Sequence, residues 1–266
     1  MNTTLKKLII FDLDGTLCQS KLPVDTQMGI LIANLLQLCK VAVVSGGSWK
    51  QFEMQLLANL PNDCKLQDLS LLPVCGTQFY QYSKGWKLLY CDELTAQEKD
   101  TIINALNSAA KQAGGLAEKT WGPLIEDRSS QITFSALGQC APLDEKMKWD
   151  ADRSKRKKIK ENLEALLPEF SIRLGGTTSI DVTKKGIDKA YAVTKLRDTL
   201  QIPFGLMEFI GDALFPQGND YPVIKTGVET IRVKDSKETT KIIKTIIKSL
   251  CSKQGLNCNC PKKARL

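Results

Sequence analysis

The sequence predicts an α/β protein: an open, largely parallel sheet covered by helices and interrupted by an inserted α+β module. Three observations carry this expectation. Short β-favouring apolar runs alternate with helix-length amphipathic stretches in both the first and last thirds of the chain. The runs ending in Asp-Leu-Asp-Gly and Ser-Gly-Gly are apolar throughout, as strands buried on both faces must be. Between about residues 83 and 185 the rhythm changes to two helices among short strands, and then it resumes.

Taken in order, residues 5–13 form the first strand, closed by an Asp-Gly turn. A helix follows over 25–38, with Asp25 or Thr26 placed to cap it. Residues 40–44 are a second buried strand, Ser48 can cap a helix reaching about residue 60, and 69–74 make a third strand. Aromatic-rich stretches at 79–82 and 86–90 flank Ser83-Lys84-Gly85, the pattern of a hairpin. A helix over 95–113, strands at 121–126 and 130–135, a helix over 153–167 and strands at 171–174 and 178–182 complete the insertion. The core rhythm returns with a helix at 188–200, a strand at 207–210, a short helix after Asn219, a strand at 230–233 and a helix from 236 to 250. Residues 251–266 are polar, basic and contain Gly and Pro, which reads as a disordered tail.

Composition narrows the chemistry. The chain of 266 residues has no histidine, so a Ser-His-Asp triad, a Cys-His pair and His-ligated zinc are excluded. Proton transfer falls to carboxylates, lysine, tyrosine or cysteine. Nine cysteines, mostly single and within apolar stretches, suit reduced thiols in a cytoplasmic protein. Cys251, Cys258 and Cys260 lack the fourth ligand of a zinc site. The net charge of +8 is concentrated at 146–160 and 235–266, leaving a slight acidic excess elsewhere, which argues against nucleic acid. No run approaches the length of a membrane span.

Four stations stand at predicted strand ends or helix starts. The first is Phe11-Asp12-Leu13-Asp14-Gly15-Thr16-Leu17. In an open parallel sheet, ligands bind beyond the carboxyl ends of the strands. Two carboxylates two residues apart there can share work: one attacks phosphorus, the other moves a proton, and both help hold a hard cation. The ordinary reading is turn chemistry. Ser45 and the Gly46 amide, after the second strand, can hold a phosphoryl oxygen, or merely precede a helix capped by Ser48. Lys189 opens a helix where a cation opposes the macrodipole, so an anionic partner would explain it; a surface lysine is the alternative. Asp212, with Asn219 and Asp220 at the end of its loop, offers oxygen ligands for magnesium, unless the loop is only a turn.

Together these residues resemble the haloacid dehalogenase-like (HAD) phosphotransferase superfamily, whose site combines D-x-D-G-T, a Ser or Thr, a Lys and G-D-x(n)-N-D. The insertion resembles that of subfamily IIB, with an α+β cap after the third core strand. The segments 175–182, 186–189 and 216–220 resemble eukaryotic-type phosphomannomutase. The resemblance implies a Rossmann-like HAD core at 1–82 and 186–250, a specificity cap at 83–185, and Mg2+ as cofactor. It implies Asp12 as nucleophile, Asp14 as acid and base, and Ser45 and Lys189 as the phosphoryl cradle. Mg2+ would sit on Asp12, the Asp14 carbonyl and Asp212, with Asn219 and Asp220 in support. Ser179, Asp181 and Arg128 match positions that contact the hexose phosphate, Gly46 lies at the phosphoryl site, and Lys21 stands where the family often has arginine. Gln139 replaces a mutase arginine, so the expected activity is hydrolysis of a small phosphorylated sugar, with phosphomannomutase as the alternative. A phosphosugar-binding protein without catalysis is a third class, disfavoured because every station is intact. The sequence leaves open a homodimer through the cap.

Overall fold

The computed structural model describes residues 5–114 and 117–255. The chain divides into two compact units, one running to Tyr90 and resuming at Asp188, the other Cys91–Ile187. The first unit begins with β1 (Leu8–Asp12), α1 (Thr26–Leu36), β2 (Lys40–Val44), α2 (Trp49–Gln55), β3 (Leu69–Leu72), β4 (Gln78–Tyr82) and β5 (Trp86–Cys91). The second contains α3 (Ala96–Gln112), β6 (Ile125–Asp127), β7 (Gln131–Ser135), α4 (Leu143–Trp149), α5 (Ser154–Leu166), β8 (Phe170–Gly175) and β9 (Ser179–Lys184). The first unit is completed by α6 (Lys189–Leu200), β10 (Met207–Gly211), α7 (Tyr221–Ile224), β11 (Glu229–Arg232) and α8 (Ser236–Lys253).

The seven-stranded sheet has the order β11-β10-β1-β2-β3-β4-β5. Its first five strands are parallel, and β4 runs antiparallel to β3. Alternation along the strands sends Ile9, Phe11, Val41 and Val43 to one face, packed with Leu31, Leu35 and Ile243 of α1 and α8. Leu8, Ile10, Ala42 and Val44 fill the other face with Ala192, Val193 and Leu196 of α6. Both faces are buried, which is why these strands are continuously apolar. Register sets the site: Asp12 pairs with Val44, and Phe11 with Ile210. Asp12, Ser45 and Asp212 therefore leave the sheet at one edge.

In the second unit the sheet order is β6-β7-β9-β8, all antiparallel. One face packs Ile132, Phe134, Ile180 and Val182 against Ile102 and Leu106 of α3 and Ile159 and Leu163 of α5. The alternate residues Gln131, Thr133, Ser135, Ser179, Asp181 and Thr183 therefore point to the opposite face, a row of polar side chains.

The structure adds or moves several elements. The boundaries fall at 90/91 and 187/188 rather than 82/83 and 185/186, because β5 joins the core sheet. Helix α4 is additional; Pro142 before it, Asp144 and Glu145 in its first turn and Lys146 and Lys148 in its last are helix-end signals. The helix expected to reach residue 60 stops at Gln55 and gives way to a 3-10 turn. Helix α8 continues to Lys253, and the tail beyond residue 255 lies outside the described residues. Among the described residues, no helix is long and apolar enough to cross a membrane.

Gly76 lets the turn after β3 lie against α6. It adopts φ +85°, and a Cβ there would stand 2.5 Å from the Ala192 Cβ. Gly76→Ala should lower unfolding free energy by about 2 kcal/mol or more, through left-handed strain and overpacking together. Denaturant titration checks this, and a negligible loss would show that the turn and helix relax apart easily.

Candidate active site

The site in the first unit is built around a buried lysine. Lys189 is the first residue of α6, and Asp188 caps that helix through the Tyr191 N–H at 3.0 Å. Its Nζ donates to Asp12 Oδ1 and to Asp220 Oδ1, each at 2.5 Å. Lys189, Asp12 and Asp220 are 1%, 2% and 0% exposed, so the ion pairs are shielded from water and screened weakly. Thr16 holds the second Asp12 oxygen: its hydroxyl donates to Oδ2 at 3.1 Å and accepts from the Asp212 N–H at 3.0 Å. Asp220 Oδ2 in turn accepts from the Ala213 N–H at 2.9 Å, pinning the loop that carries Asp212.

Lys189 pairs with two carboxylates, and a third, Asp212, stands close to them. Burial pushes Asp12 up to about 7; Lys189 opposes this, while Asp220 and Asp212 reinforce it. Asp212 is raised first by burial and then by Asp220. Burial would lower the Lys189 ammonium, but Asp12 and Asp220 hold it above its usual value. Carboxylate oxygens of Asp12, Asp212 and Asp220 come within 4.8 Å of one another, a donor set for a hard cation. Gly15, at φ +88°, makes this convergence feasible, since a Cβ there would lie 2.6 Å from Asp212 Oδ2.

Asp14 stands outside that hydrogen-bonded cluster and has partners of its own. Its Oδ1 accepts from the Lys21 backbone N–H at 2.6 Å and from Gln55 Nε2 at 3.1 Å. Lys21 reaches it in a left-handed conformation, φ 61°. The sequence singles out the Lys21 side chain, but what touches Asp14 is its main chain. Cys18, nearby, is pushed up to about 12 by burial and then by Asp14 and Asp12, so its thiol stays protonated.

Ser45 is buried at the end of β2. Its Oγ accepts from the Gly47 N–H at 3.1 Å, and its carbonyl accepts from Cys75 N–H at 2.9 Å. Ser48, rather than Ser45, starts α2, its N–H donating to Gln51 Oε1 at 2.9 Å. That leaves Ser45 and Gly46 ahead of the helix, at the sheet edge that carries Asp12. Asn219 is exposed on the loop before Asp220.

The expected sugar-recognition residues lie in the second unit and are held by neighbours. Asp181 Oδ1 accepts from the Thr133 hydroxyl at 2.8 Å, and Thr133 accepts from Gln131 Nε2 at 2.9 Å. Ser179 Oγ shares a hydrogen bond with Ser135 Oγ at 3.0 Å. Arg128 pairs with Glu126 at 2.6 Å.

Two residues that touch the candidate machinery were not singled out by sequence. Thr16 lay inside the motif, but its role needs the fold to bring Asp212 to it. Gln55 had a weak signal: a polar residue three after buried Phe52, on the apolar stripe of α2.

Residues 28–249 match the eukaryotic phosphomannomutase family, and the chain belongs to that family. Phosphomannomutase 1 of Homo sapiens is 27% identical over 225 residues, covering 81% of this chain and 82% of the relative. The phosphomannomutase of Schizosaccharomyces pombe is 26% identical over 225 residues, covering 82% and 85%. Among solved structures, a haloacid dehalogenase-like hydrolase from Bacteroides thetaiotaomicron superposes with a TM-score of 0.63 at 16% identity, covering 91% of this chain and 99% of that one. An IMP-bound Plasmodium falciparum IMP-nucleotidase gives 0.63 at 16% identity, covering 92% and 68%. These last two share the fold. The haloacid dehalogenase-like core and the phosphomannomutase-type membership expected from the motifs are thus both found.

The Asp12 shift has a consequence for stability. The native state keeps the Asp12 proton to about 7, whereas the unfolded chain releases it near 3.8. The folded state then binds more protons in that window, so stability falls as pH rises through it. Chelator-treated protein should show this fall in denaturant titrations, and Asp12→Asn should flatten it. An unchanged slope in the variant would assign the effect to another group.

Proposed function

We propose that this chain passes a phosphoryl group to and from a hexose phosphate through an aspartyl phosphate on Asp12, with a sugar hydroxyl as acceptor. The reading is a phosphohexomutase that interconverts mannose 1-phosphate and mannose 6-phosphate. The observation that carries the chemistry is the Asp12 carboxylate held by Lys189 at 2.5 Å on one oxygen and by Thr16 at 3.1 Å on the other. A nucleophile fixed in this way meets phosphorus with little reorganisation.

Asp12 attacks phosphorus in line, and the new O–P bond forms as the bond to the sugar oxygen breaks. That oxygen takes a proton from Asp14. In the return step Asp14 removes the proton of the incoming hydroxyl, which attacks the acyl phosphate and frees Asp12. Lys189 and Ser45 face the phosphoryl oxygens as the cradle. The raised carboxyl groups of Asp12 and Asp212 are what an oxygen-seeking cation would relieve. Mg2+, held by Asp12, Asp212 and the Asp14 carbonyl with Asp220 adjacent, would supply charge neutralisation at the transferring group. Arg128, Ser179 and Asp181 of the second unit are the residues assigned to the sugar phosphate, and Lys21 and Gly46 those assigned to it in the first.

Hydrolysis, which the sequence alone favours, differs only in the acceptor. The family match and relatives named phosphomannomutase support the sugar acceptor instead. The feature that favoured hydrolysis was a neutral amide at Gln139. In the fold, Lys146 Nζ donates to the Gln139 backbone carbonyl at 3.1 Å, so a cation stands at that position. A second phosphate of a bisphosphorylated intermediate can be met there.

Phosphorus NMR with Mg2+, mannose 1-phosphate and a trace of glucose 1,6-bisphosphate tests the reading. Mannose 6-phosphate should accumulate with little free phosphate, and Asp12→Asn should lower the rate by at least about a thousandfold, as loss of a covalent nucleophile does. Lys146→Met should shift the products towards inorganic phosphate. Inorganic phosphate alone from the unaltered protein would establish hydrolysis in place of the mutase.

A further inference from the structure

Gln55 is the last residue of α2 and is 4% exposed, between Phe52 and Leu56, both fully buried. A primary amide in such surroundings is costly unless its hydrogen bonds are made. Its Nε2 lies 3.1 Å from Asp14 Oδ1, 3.1 Å from the Leu22 carbonyl and 3.6 Å from the Cys18 sulfur. The orientation is dictated by chemistry: Asp14 Oδ1 and Leu22 O are both acceptors, so only the NH2 end can face them. The other end, Oε1, is buried with no hydrogen-bond partner. For packing alone, an apolar side chain of the same length would serve better, because it would bury no unpaired acceptor. The amide's one contact with the catalytic machinery is Asp14.

That contact sorts the two Asp14 oxygens. Oδ1 is held by the Gln55 amide and by the Lys21 N–H at 2.6 Å, whereas Oδ2 makes no hydrogen bond among the described residues. We infer that Gln55 is a positioning residue: it anchors one oxygen of Asp14 so that the other is presented for proton exchange with the oxygen leaving or entering at phosphorus. This inference rests on the proposed role of Asp14 as acid and base. It concerns the proton step alone: the Gln55 amide gains and loses nothing, and the proton moves between Asp14 Oδ2 and the ester or hydroxyl oxygen.

Leaving-group dependence separates this role from a merely structural one. A sugar alkoxide must be protonated as it departs, whereas p-nitrophenolate leaves without help. Stopped-flow and steady-state assays of the full chain with Mg2+ would compare the unaltered protein with Gln55→Met, which keeps length without the donor. On mannose 1-phosphate, kcat should fall by about 10- to 100-fold with KM changed less than about twofold. The first-turnover burst of p-nitrophenol should change by less than about threefold, since the attack of Asp12 is untouched. Gln55→Glu, equally long but with an acceptor facing Asp14, should show the same split, and thermal melts check that each variant is folded. Equal losses on both esters, or full activity on both, would overturn the assignment of Gln55. An unaltered protein inert on both esters would overturn the functional reading beneath it, a separate and recognisable result.

Discussion

The candidate site in the first unit is organised by one buried cation. Lys189 occupies the first turn of α6, where the helix dipole disfavours positive charge, and it is removed from water. Both penalties are offset because Asp12 and Asp220 reach its ammonium from two other chain segments. The arrangement is reciprocal. Without the lysine, two carboxylates would be buried together uncompensated; without them, the lysine would have no reason to be inside. Strand β1, the loop after β10 and the start of α6 are thus fixed relative to one another by charge as well as by packing. With Asp212 added, three carboxylates converge beside one ammonium, and burial together with that crowding raises the carboxyl groups of Asp12 and Asp212.

The parts of this site legible in the sequence were those set by short-range rules. A strand buried on both faces must be apolar to its end, so Asp12 at the close of β1, Ser45 just after β2 and Asp212 just after β10 each stand out against their backgrounds. Their alignment at one sheet edge follows from parallel pairing. What stayed illegible depends on partners far apart in the chain. Gln55 meets Asp14 across 41 positions, and Thr16 meets Asp212 across 196. No local pattern encodes such a meeting. The hairpin at 78–91 shows the same limit: its turn was readable, but nothing in it says which sheet it will join. Lys21 shows a different one, since its backbone conformation rather than its side chain makes the contact with Asp14.

The second unit solves its placement problem without a metal-binding cluster among its described residues. Its sheet buries one face in an ordinary apolar core and uses the other for hydroxyl, amide and carboxyl groups that hold one another, as in Gln131, Thr133 and Asp181. At the end of that face, Arg156 is buried with Asp150 at 2.6 Å and donates to the carbonyls of Gly175 and Gly176. The guanidinium ties the start of α5 to the turn between β8 and β9, just ahead of Ser179. A planar fork with five donors suits the task of satisfying a carboxylate and two carbonyls together, which a lysine could not match. Ser179 and Asp181 therefore stand on a strand whose entry is clamped and whose side chains are already hydrogen-bonded, so any ligand they met would find them ordered in advance.

The choice between mutase and hydrolase is not made in the phosphoryl cradle. Asp12, Thr16, Lys189 and Asp220 would serve the same transfer whether the acyl phosphate is next attacked by a sugar or by water. On the proposed reading the discrimination comes from how long and in which orientations a phosphorylated sugar is retained, which a second anion-binding position would set. A neutral amide at Gln139 removes a fork-shaped donor from the place where the resemblance expects one. Lys146 donates to the Gln139 carbonyl, and an ammonium, unlike that fork, meets an anion as a point charge. A point charge holds an anion while constraining its orientation less. On the proposed reading, that looser hold suits a bisphosphorylated intermediate that must present each of its phosphates in turn, and it reconciles the departure at Gln139 with membership of the phosphomannomutase family.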